Sequence, residues 1–197
     1  MEGTSLSATA DQPGAAPAVA EDEQLALGAS SNPTAFSTLY SRHRESVFRY
    51  LRARCLDDDE ALDLTAVTFE RALVAIPRYR PRGAGFSAWL LRIARNAAID
   101  HRRRQRAWPA ATTLGDAERQ PARDDPEAAA IAADEHARLR KLVRALPEPQ
   151  RDALALRYSA GLTAREIGVV IGKTEEATQK LITRALSDLK EAYGHEG

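Results

Sequence analysis

A run of arginines follows directly on a strongly apolar segment between Phe86 and Arg106. The apolar residues recur at intervals of three and four, which is typical of one face of an α-helix; they are Phe86, Trp89, Leu90, Ile93, Ala94 and Ala97. Asn96 and Asp100 interrupt this stripe, and four cationic residues come after it: Arg102, Arg103, Arg104 and Arg106. A helix that is buried at one end and cationic at the other can hold positive charge against phosphate groups. The pattern also fits a core helix whose arginines offset the helix dipole and face water.

A second group of polar residues belongs to a predicted helix-turn-helix near the end of the chain. Thr163 and Glu166 have the spacing of a capping box, and Gly172 suits the left-handed residue that ends a helix. Thr174 can cap the helix that follows. The inward seam of that helix is predicted to consist of Thr178, Ile182, Ala185 and Leu189. This pattern indicates a short helix, a tight turn and a longer helix that could enter a major groove.

The outward face of the last helix carries side chains that suit a nucleic acid. They are Glu175, Glu176, Gln179, Lys180, Thr183, Arg184 and Ser187. Glutamine and arginine can pair with base edges, whereas lysine and threonine suit phosphates. The sequence therefore favours DNA binding, although helix-turn-helix geometry also occurs in proteins that never contact DNA.

No group of residues in the sequence has the spacing of a catalytic or metal site. The histidines are scattered along the chain, at His43, His101, His136 and His195, and no glycine-rich phosphate loop occurs. We therefore expect no catalytic residue, no metal and no cofactor, and we predict that the protein is not an enzyme. His43 falls on an apolar helical face, where we favour a hydrogen-bonded core residue, and the single cysteine, Cys55, suits a small buried apolar position.

The formal net charge of zero hides an alternation of charged segments. Residues 1–35 carry −5, residues 36–106 carry +7, residues 107–137 carry −5 and residues 138–197 carry +3. The asymmetry matters more than the total, because only the cationic segments need to approach phosphate. The acidic segments lead us to expect that the free chain binds DNA poorly.

Both cationic segments are predicted to be helical modules. The N-terminal module, residues 33–106, begins with Asn32 as cap and Pro33 at the first helical position. Its second helix begins at Asp57, with Glu60 three residues later, and ends at Pro77. The C-terminal module, residues 128–197, contains the helix-turn-helix. The fold class is therefore predicted to be all-α: two small helical domains joined by a flexible linker.

The remaining segments are predicted to lack stable structure or a membrane span. Residues 1–32 have too little apolar surface to offset the entropy of ordering, so we predict a disordered tail. Residues 107–127 are predicted to be an acidic flexible linker. No apolar run approaches the roughly 18 residues of a membrane span, and no signal peptide is evident, so we expect a cytoplasmic protein.

Taken together, the two modules resemble the extracytoplasmic-function (ECF) sigma factors of bacterial RNA polymerase. The N-terminal module resembles sigma domain 2 through AFSTLYSRHRESVFRYL (35–51), DLTAVTFERAL (63–73) and FSAWLLRIARNAAIDHRRR (86–104). The C-terminal module resembles sigma domain 4 through LPEPQRDALALRY (146–158), GLTAREIGVVIGKTEEAT (161–178) and KLITRAL (180–186). The order and spacing of the two blocks make the resemblance specific.

The resemblance implies the partners and the residues that contact them. Its partners are the RNA polymerase core and promoter DNA, and many relatives are also held by an anti-sigma factor. Polymerase binding is implied for Asp63, Leu64 and Phe69. Binding of the −10 element is implied for Asn96, Asp100, Arg102, Arg103, Arg104 and Arg106, with a turn around 96–100 capturing an unstacked base. Binding of the −35 element is implied for Gln179, Lys180, Thr183 and Arg184, and the linker would thread towards the RNA exit path.

Four residues depart from the family pattern. Ala66 and Val67 stand where the family usually has glutamine and an acid, Thr178 replaces an aliphatic residue, and Leu181 replaces a basic one. The promoter sequence that relatives recognise is therefore not assigned to this chain. Two alternatives stay open at this point: a stand-alone helix-turn-helix regulator, and a polymerase-binding interaction protein without initiation activity.

Overall fold

The computed structural model describes residues 15–55, 57–81, 83–107 and 126–195, and these ranges fold into helices without a strand. The helices are α1 Ala15–Gly28, α2 Pro33–Arg52, α3 Asp58–Ala75, α4 Gly85–Ala107, α5 Pro126–Ala145, α6 Glu148–Leu154, α7 Ala164–Ile171 and α8 Glu175–His195. A 3₁₀ turn follows α3, and a π-helical turn, Ala155–Ser159, continues α6. The predicted all-α fold class is confirmed. Within the described ranges, no helix combines the length and apolarity that crossing a bilayer requires.

Helices α2, α3 and α4 form the core of the N-terminal module. The predicted caps are confirmed, because the Asn32 side chain accepts from Thr34 N at 3.0 Å and that of Asp57 accepts from Glu60 N at 2.7 Å. The fully buried side chains include Leu39, Val47, Tyr50, Leu51, Phe86, Leu90 and Leu91. Burial of these apolar surfaces holds α4 against α2 and α3.

Helix α4 is continuous from Gly85 to Ala107, so the predicted turn around residues 96–100 is wrong. The segment between Phe86 and Ala107 contains no glycine or proline, and nothing interrupts the backbone hydrogen-bond ladder. Asn96 and Asp100 are exposed, and the Asp100 carboxylate accepts from Arg71 at 2.8 Å. The two residues interrupt the apolar stripe but leave the helix intact.

The predicted disordered tail is wrong for residues 15–28, which form α1. This helix packs on α2 and α4, and it buries Ala26. The Asp22 carboxylate pairs with Arg42 at 2.8 Å and with the ring of His43 at 2.7 Å. Ala26 is buried and Leu25 is partly buried against the core, and two adjacent apolar residues give little apolar periodicity in the sequence. Residues 1–14 of the predicted tail lie outside the described residues.

Burial of His43 leads us to expect that the stability of the N-terminal module depends on pH. Burial lowers the pKa of its imidazole below the ordinary value, and this effect outweighs the opposing influence of Asp22. The pKa of His43 is lower in the folded chain than in the unfolded chain, where it is near 6.5. The neutral imidazole therefore contributes its full share to the free energy of unfolding above pH 6.5, and this share is lost as the pH falls through the pKa of the folded chain. We expect the slowest-exchanging amides of α2 and α4 to exchange hydrogen faster at pH 5.5 than at pH 7.5, after correction for intrinsic rates.

Hydrogen-exchange mass spectrometry measures this change directly. The variant His43→Gln, which cannot titrate at this position, should lose this difference between the two pH values. Equal corrected protection at both pH values in the wild-type chain would contradict the prediction.

The helix-turn-helix of the C-terminal module has the predicted local structure. Thr163 N donates to the Glu166 carboxylate at 2.8 Å, and Glu166 N donates to Thr163 Oγ1 at 3.3 Å, which completes the capping box. Gly172 has φ +73°, so it occupies the left-handed region as predicted. Ala177 N donates to Thr174 Oγ1 at 3.2 Å, which caps α8. These local contacts fix the turn between α7 and α8.

The two helical modules pack against each other and share buried core residues. Helix α4 packs on α7, and α2 packs on the π-helical turn. Tyr50 and Asp152, one in each module, are both fully buried and form a hydrogen bond of 3.1 Å. A buried carboxylate needs partners, and the N-terminal module supplies them. The predicted linker lies outside the described residues over positions 108–125, between the end of α4 and the start of α5.

Candidate nucleic-acid interface

The cationic end of α4 presents arginines at the surface. Arg103, Arg104 and Arg106 are exposed, and Arg104 Nε donates weakly to the Asp100 carbonyl at 3.4 Å. Arg102 differs from them, because its Nη1 donates to Glu148 Oε1 of the C-terminal module at 2.8 Å. Three of the four arginines predicted to hold phosphates are therefore accessible, and the fourth is engaged in the contact between modules.

An ionic cluster around Asp152 joins the two modules. The Asp152 carboxylate is fully buried, accepts from Tyr50 OH at 3.1 Å and Arg95 Nε at 2.9 Å, and lies 3.0 Å from Arg54 Nε. Burial, followed by the negative charge of Asp152, raises the pKa of the Tyr50 hydroxyl, which keeps its proton. Sequence reasoning missed this cluster because its members are far apart in the chain.

Glu148 adds a second ionic contact beside the Asp152 cluster. Its Oε1 lies 3.1 Å from Arg54 Nη2 and 2.8 Å from Arg102 Nη1. Burial tends to raise the pKa of this carboxyl, but the charges of Arg102 and Arg54 prevail and lower it. Glu148 is therefore ionised at neutral pH and pairs with Arg102, an arginine that the family resemblance implies for binding of the −10 element.

The outer face of α8 is open to solvent at every position predicted to read DNA. Gln179, Lys180, Thr183 and Arg184 are all exposed. The Lys180 ammonium pairs with Glu176 at 2.7 Å, one turn earlier on the same face. Thr178 is fully buried, and its hydroxyl donates to the Thr174 carbonyl at 2.9 Å. That hydrogen bond explains how a threonine replaces an aliphatic residue in the seam.

Helix α3 carries the three residues predicted to contact polymerase. Asp63 is exposed, whereas Leu64 and Phe69 are buried in the core, where Phe69 stacks edge-on with Tyr40. Their side chains pack in the core and hold α3 in place, and they do not lie on its exposed face. The exposed large apolar residues of α3 are Leu62, Leu73 and Val74. Leu73 lies eleven residues after Leu62, which puts both on one helical face.

A cavity of about 160 Å³ lies beside the loop that precedes α4, and sequence reasoning missed it. Arginine and aromatic side chains line it, and they include Arg78, Tyr79, Arg80, Trp89 and Arg92. Burial raises the pKa of Tyr79 to about 12, and its hydroxyl has no hydrogen-bond partner among the described residues. Aromatic faces next to guanidinium groups suit an unstacked base on a phosphate backbone. The signal in the sequence is the alternation of arginine with tyrosine in RYR, residues 78–80.

Comparisons with known proteins give one consistent family. Residues 39–107 match the family model for Sigma-70 region 2, and residues 136–189 match that for Sigma-70, region 4. The ECF RNA polymerase sigma factor SigD of Mycobacterium tuberculosis is 35% identical over 181 residues, which cover 86% of this chain and 82% of SigD. BldN of Streptomyces coelicolor, also an ECF sigma factor, is 35% identical over 155 residues, 79% of this chain but only 59% of BldN. The structure of CnrH in complex with the cytosolic domain of CnrY matches with TM-score 0.68 and 25% identity, over 90% of this chain and 99% of that chain.

Proposed function

The chain belongs to the ECF family of RNA polymerase sigma factors, and we propose that it recruits the polymerase core to specific promoters and assists their melting. It acts in the cytoplasm by binding alone and contributes no covalent chemistry. The observation that carries the proposal is the pairing of two exposed, helix-borne surfaces: the arginines at the end of α4 and the polar face of α8. One suits a phosphate backbone, and the other suits base edges in a major groove.

Helix α8 reads the −35 element in this proposal. Gln179 and Arg184 reach base edges, and Lys180 and Thr183 contact phosphates. The capping box of α7 and the left-handed Gly172 hold α8 at a defined angle, so the side chains are presented on a rigid support. Glu176 restrains Lys180 until a phosphate competes for the ammonium group.

The −10 strand follows the cationic end of α4. Arg103, Arg104 and Arg106 hold its phosphates, each giving a salt-sensitive contact that is blind to sequence. Because α4 has no turn at residues 96–100, we place base capture in the cavity lined by Tyr79 and Trp89 instead. Asn96 and Asp100 are exposed along α4 and can contact the strand between the arginines and that cavity.

The polymerase core docks on the exposed face of α3. Asp63 offers a charge there, and Leu62, Leu73 and Val74 offer apolar surface that would otherwise remain in water. Leu64 and Phe69 act indirectly, because their burial fixes the position of α3. This surface does not require Ala66 or Val67 to supply polar contacts, which accommodates their departure from the family pattern.

We propose that the modules separate when the chain joins the polymerase. In the structure the two modules are in contact, and we call this the closed arrangement. In it the pairing of Arg102 with Glu148 keeps one phosphate-binding arginine from the promoter strand. A released C-terminal module would free Arg102 for the −10 strand and allow α8 to reach the −35 element at a distance. The predicted poor binding of DNA by the free chain follows from the same closed arrangement.

A protein partner is also part of the proposal. CnrH is solved in complex with the cytosolic domain of CnrY, and this chain has a groove that fits a protein segment. The groove has a volume of about 470 Å³, and its apolar lining includes Leu139, Val143, Tyr158 and Leu186. Arginines border it, namely Arg52, Arg140, Arg144 and Arg151. An acidic amphipathic helix, as an anti-sigma factor could supply, is complementary to this surface.

Substituting Arg103 and Arg104 together by alanine tests the proposal. We expect run-off transcription from core polymerase to fall at least tenfold, because two phosphate contacts beside the melted strand are lost. Polymerase co-purification should persist, and permanganate footprinting should show a closed promoter. The matched control is Arg44→Ala, which removes an exposed arginine from α2.

Two results would redirect the proposal to its alternatives. Tight, sequence-specific duplex binding without polymerase would indicate a stand-alone regulator. Co-purification with polymerase but no dependent transcript from any promoter of the source genome would indicate an interaction protein without initiation activity.

A further inference from the structure

A second cavity, of about 460 Å³, lies where the two modules meet. Five arginines line it, with Arg54, Arg102 and Arg106 from the N-terminal module and Arg144 and Arg151 from the C-terminal module. The one acidic residue among its described lining residues is Glu60, whose carboxylate is already bound by His101 at 2.8 Å and Gln105 at 3.2 Å. The cavity is therefore a concentration of positive charge that neither module forms alone.

Arg54 brings unused hydrogen-bonding capacity to this cavity. Its side chain is 1% exposed, and Nη1 has no hydrogen-bond partner among the described residues. Nη2 contacts Glu148, and Nε lies 3.0 Å from Asp152 but outside hydrogen-bond alignment. A buried donor without an acceptor is unfavourable, so an anion in the cavity that draws the Arg54 guanidinium towards it would be stabilised by a hydrogen bond from Nη1.

A bound negative charge would also reduce the repulsion between Arg54 and the other arginines that line the cavity. Burial lowers the pKa of Arg151, and the positive charges of Arg54 and Arg102 act in the same direction. Glu148 and Asp152 offset part of this charge, but both carboxylates are already engaged by arginines. Arg106 and Arg144 form no ion pair with an acidic residue in the described part of the chain. A ligand with two or more negative charges would compensate the excess positive charge of the cavity.

We propose that this cavity binds a small molecule that carries a pyrophosphate group, of the nucleoside diphosphate class. Guanidinium groups match phosphate oxygens in geometry and charge, and arginines from two sides can hold two adjacent phosphates. The volume lies in the range of small-molecule sites. The rest of the lining is less polar, with Leu64, Ala98 and Cys55, and it accommodates the nucleoside portion.

The proposed ligand would regulate the sigma factor by favouring the closed arrangement. It bridges arginines of both modules, so it binds only while they are in contact and stabilises that contact by mass action. It also occupies Arg102 and Arg106, which the promoter strand needs. A ligand-bound chain would therefore engage promoters less readily.

Isothermal titration calorimetry on the full-length chain at 150 mM salt tests the proposal, with inorganic pyrophosphate, GDP, ADP and guanosine as probes. We expect saturable binding of one pyrophosphate or diphosphate per chain and none of guanosine. Tighter binding of GDP or ADP than of pyrophosphate supports a nucleoside-binding part of the cavity. Equal affinities support the pyrophosphate group as the recognised element.

The variants Arg144→Gln and Arg151→Gln should each weaken pyrophosphate binding about tenfold, because each removes one charged contact. Neither arginine has a role in the proposed promoter contacts. Lys141→Gln, an exposed charge removal on the same helix as Arg144, is the matched control and should bind normally. Circular dichroism establishes that each variant is folded.

Three results would overturn the proposal. They are the absence of saturable diphosphate binding to the wild-type chain, undiminished affinity in both arginine variants, and binding only of a single-stranded oligonucleotide. The last result would assign the arginines to promoter phosphates instead.

Discussion

Asp152→Asn is expected to separate the two modules and to lower the free energy of unfolding by about 3–5 kcal/mol. The native carboxylate is fully buried and compensates the charges of Arg54 and Arg95, while it also accepts from Tyr50. An asparagine keeps the shape but removes the negative charge, and Arg54 is then left buried with too little compensation. Because its partners all belong to the other module, the loss falls on the contact between modules.

Urea unfolding and small-angle X-ray scattering measure the two parts of this prediction. The midpoint should shift to lower urea, and the radius of gyration should rise as the modules separate. Tyr50→Phe removes only one hydrogen bond, so we expect a loss of about 1 kcal/mol. Glu45→Gln, an exposed acid on α2, should be neutral. An unchanged radius of gyration and midpoint in Asp152→Asn would show that the ionic cluster does not hold the modules together.

Gly168→Ala is expected to destabilise the helix-turn-helix by about 1–3 kcal/mol and to reduce promoter-dependent transcription. A Cβ atom at this position would lie 2.6 Å from the Lys173 carbonyl oxygen and 3.2 Å from Thr178 Oγ1. The carbonyl belongs to the turn between α7 and α8, so it can give way only if the turn opens. Opening the turn would tilt α8 and move the side chains that face DNA.

The matched control for this substitution is Gly194→Ala, near the end of α8. A Cβ there meets no atom within 4 Å, and alanine favours the helix, so stability should be unchanged or slightly higher. Thermal unfolding and run-off transcription compare the two variants. Wild-type stability and transcription in Gly168→Ala would refute the close approach of α7 to the turn.

The sequence alone determined that both modules are helical, where several helices begin or end, and which face of α8 is exposed. Asn32, Asp57 and Thr163 cap their helices as predicted, because a cap contacts backbone groups only two or three residues away. Gly172 ends α7 in the left-handed region for an equally local reason. The face of α8 that meets solvent also follows from helical periodicity, since its seam residues recur every three or four positions.

Only the tertiary structure decided which surfaces remain free. Asp152 meets Tyr50 and Arg95 across 102 and 57 residues, and no local pattern marks it as a buried carboxylate. The same long-range packing buries Leu64 and Phe69, docks α1 and pairs Arg102 with Glu148. Capping and periodicity act within a few residues and can be read along the chain. Burial and charge compensation depend on which distant helices come together, so they become visible only once the chain is folded.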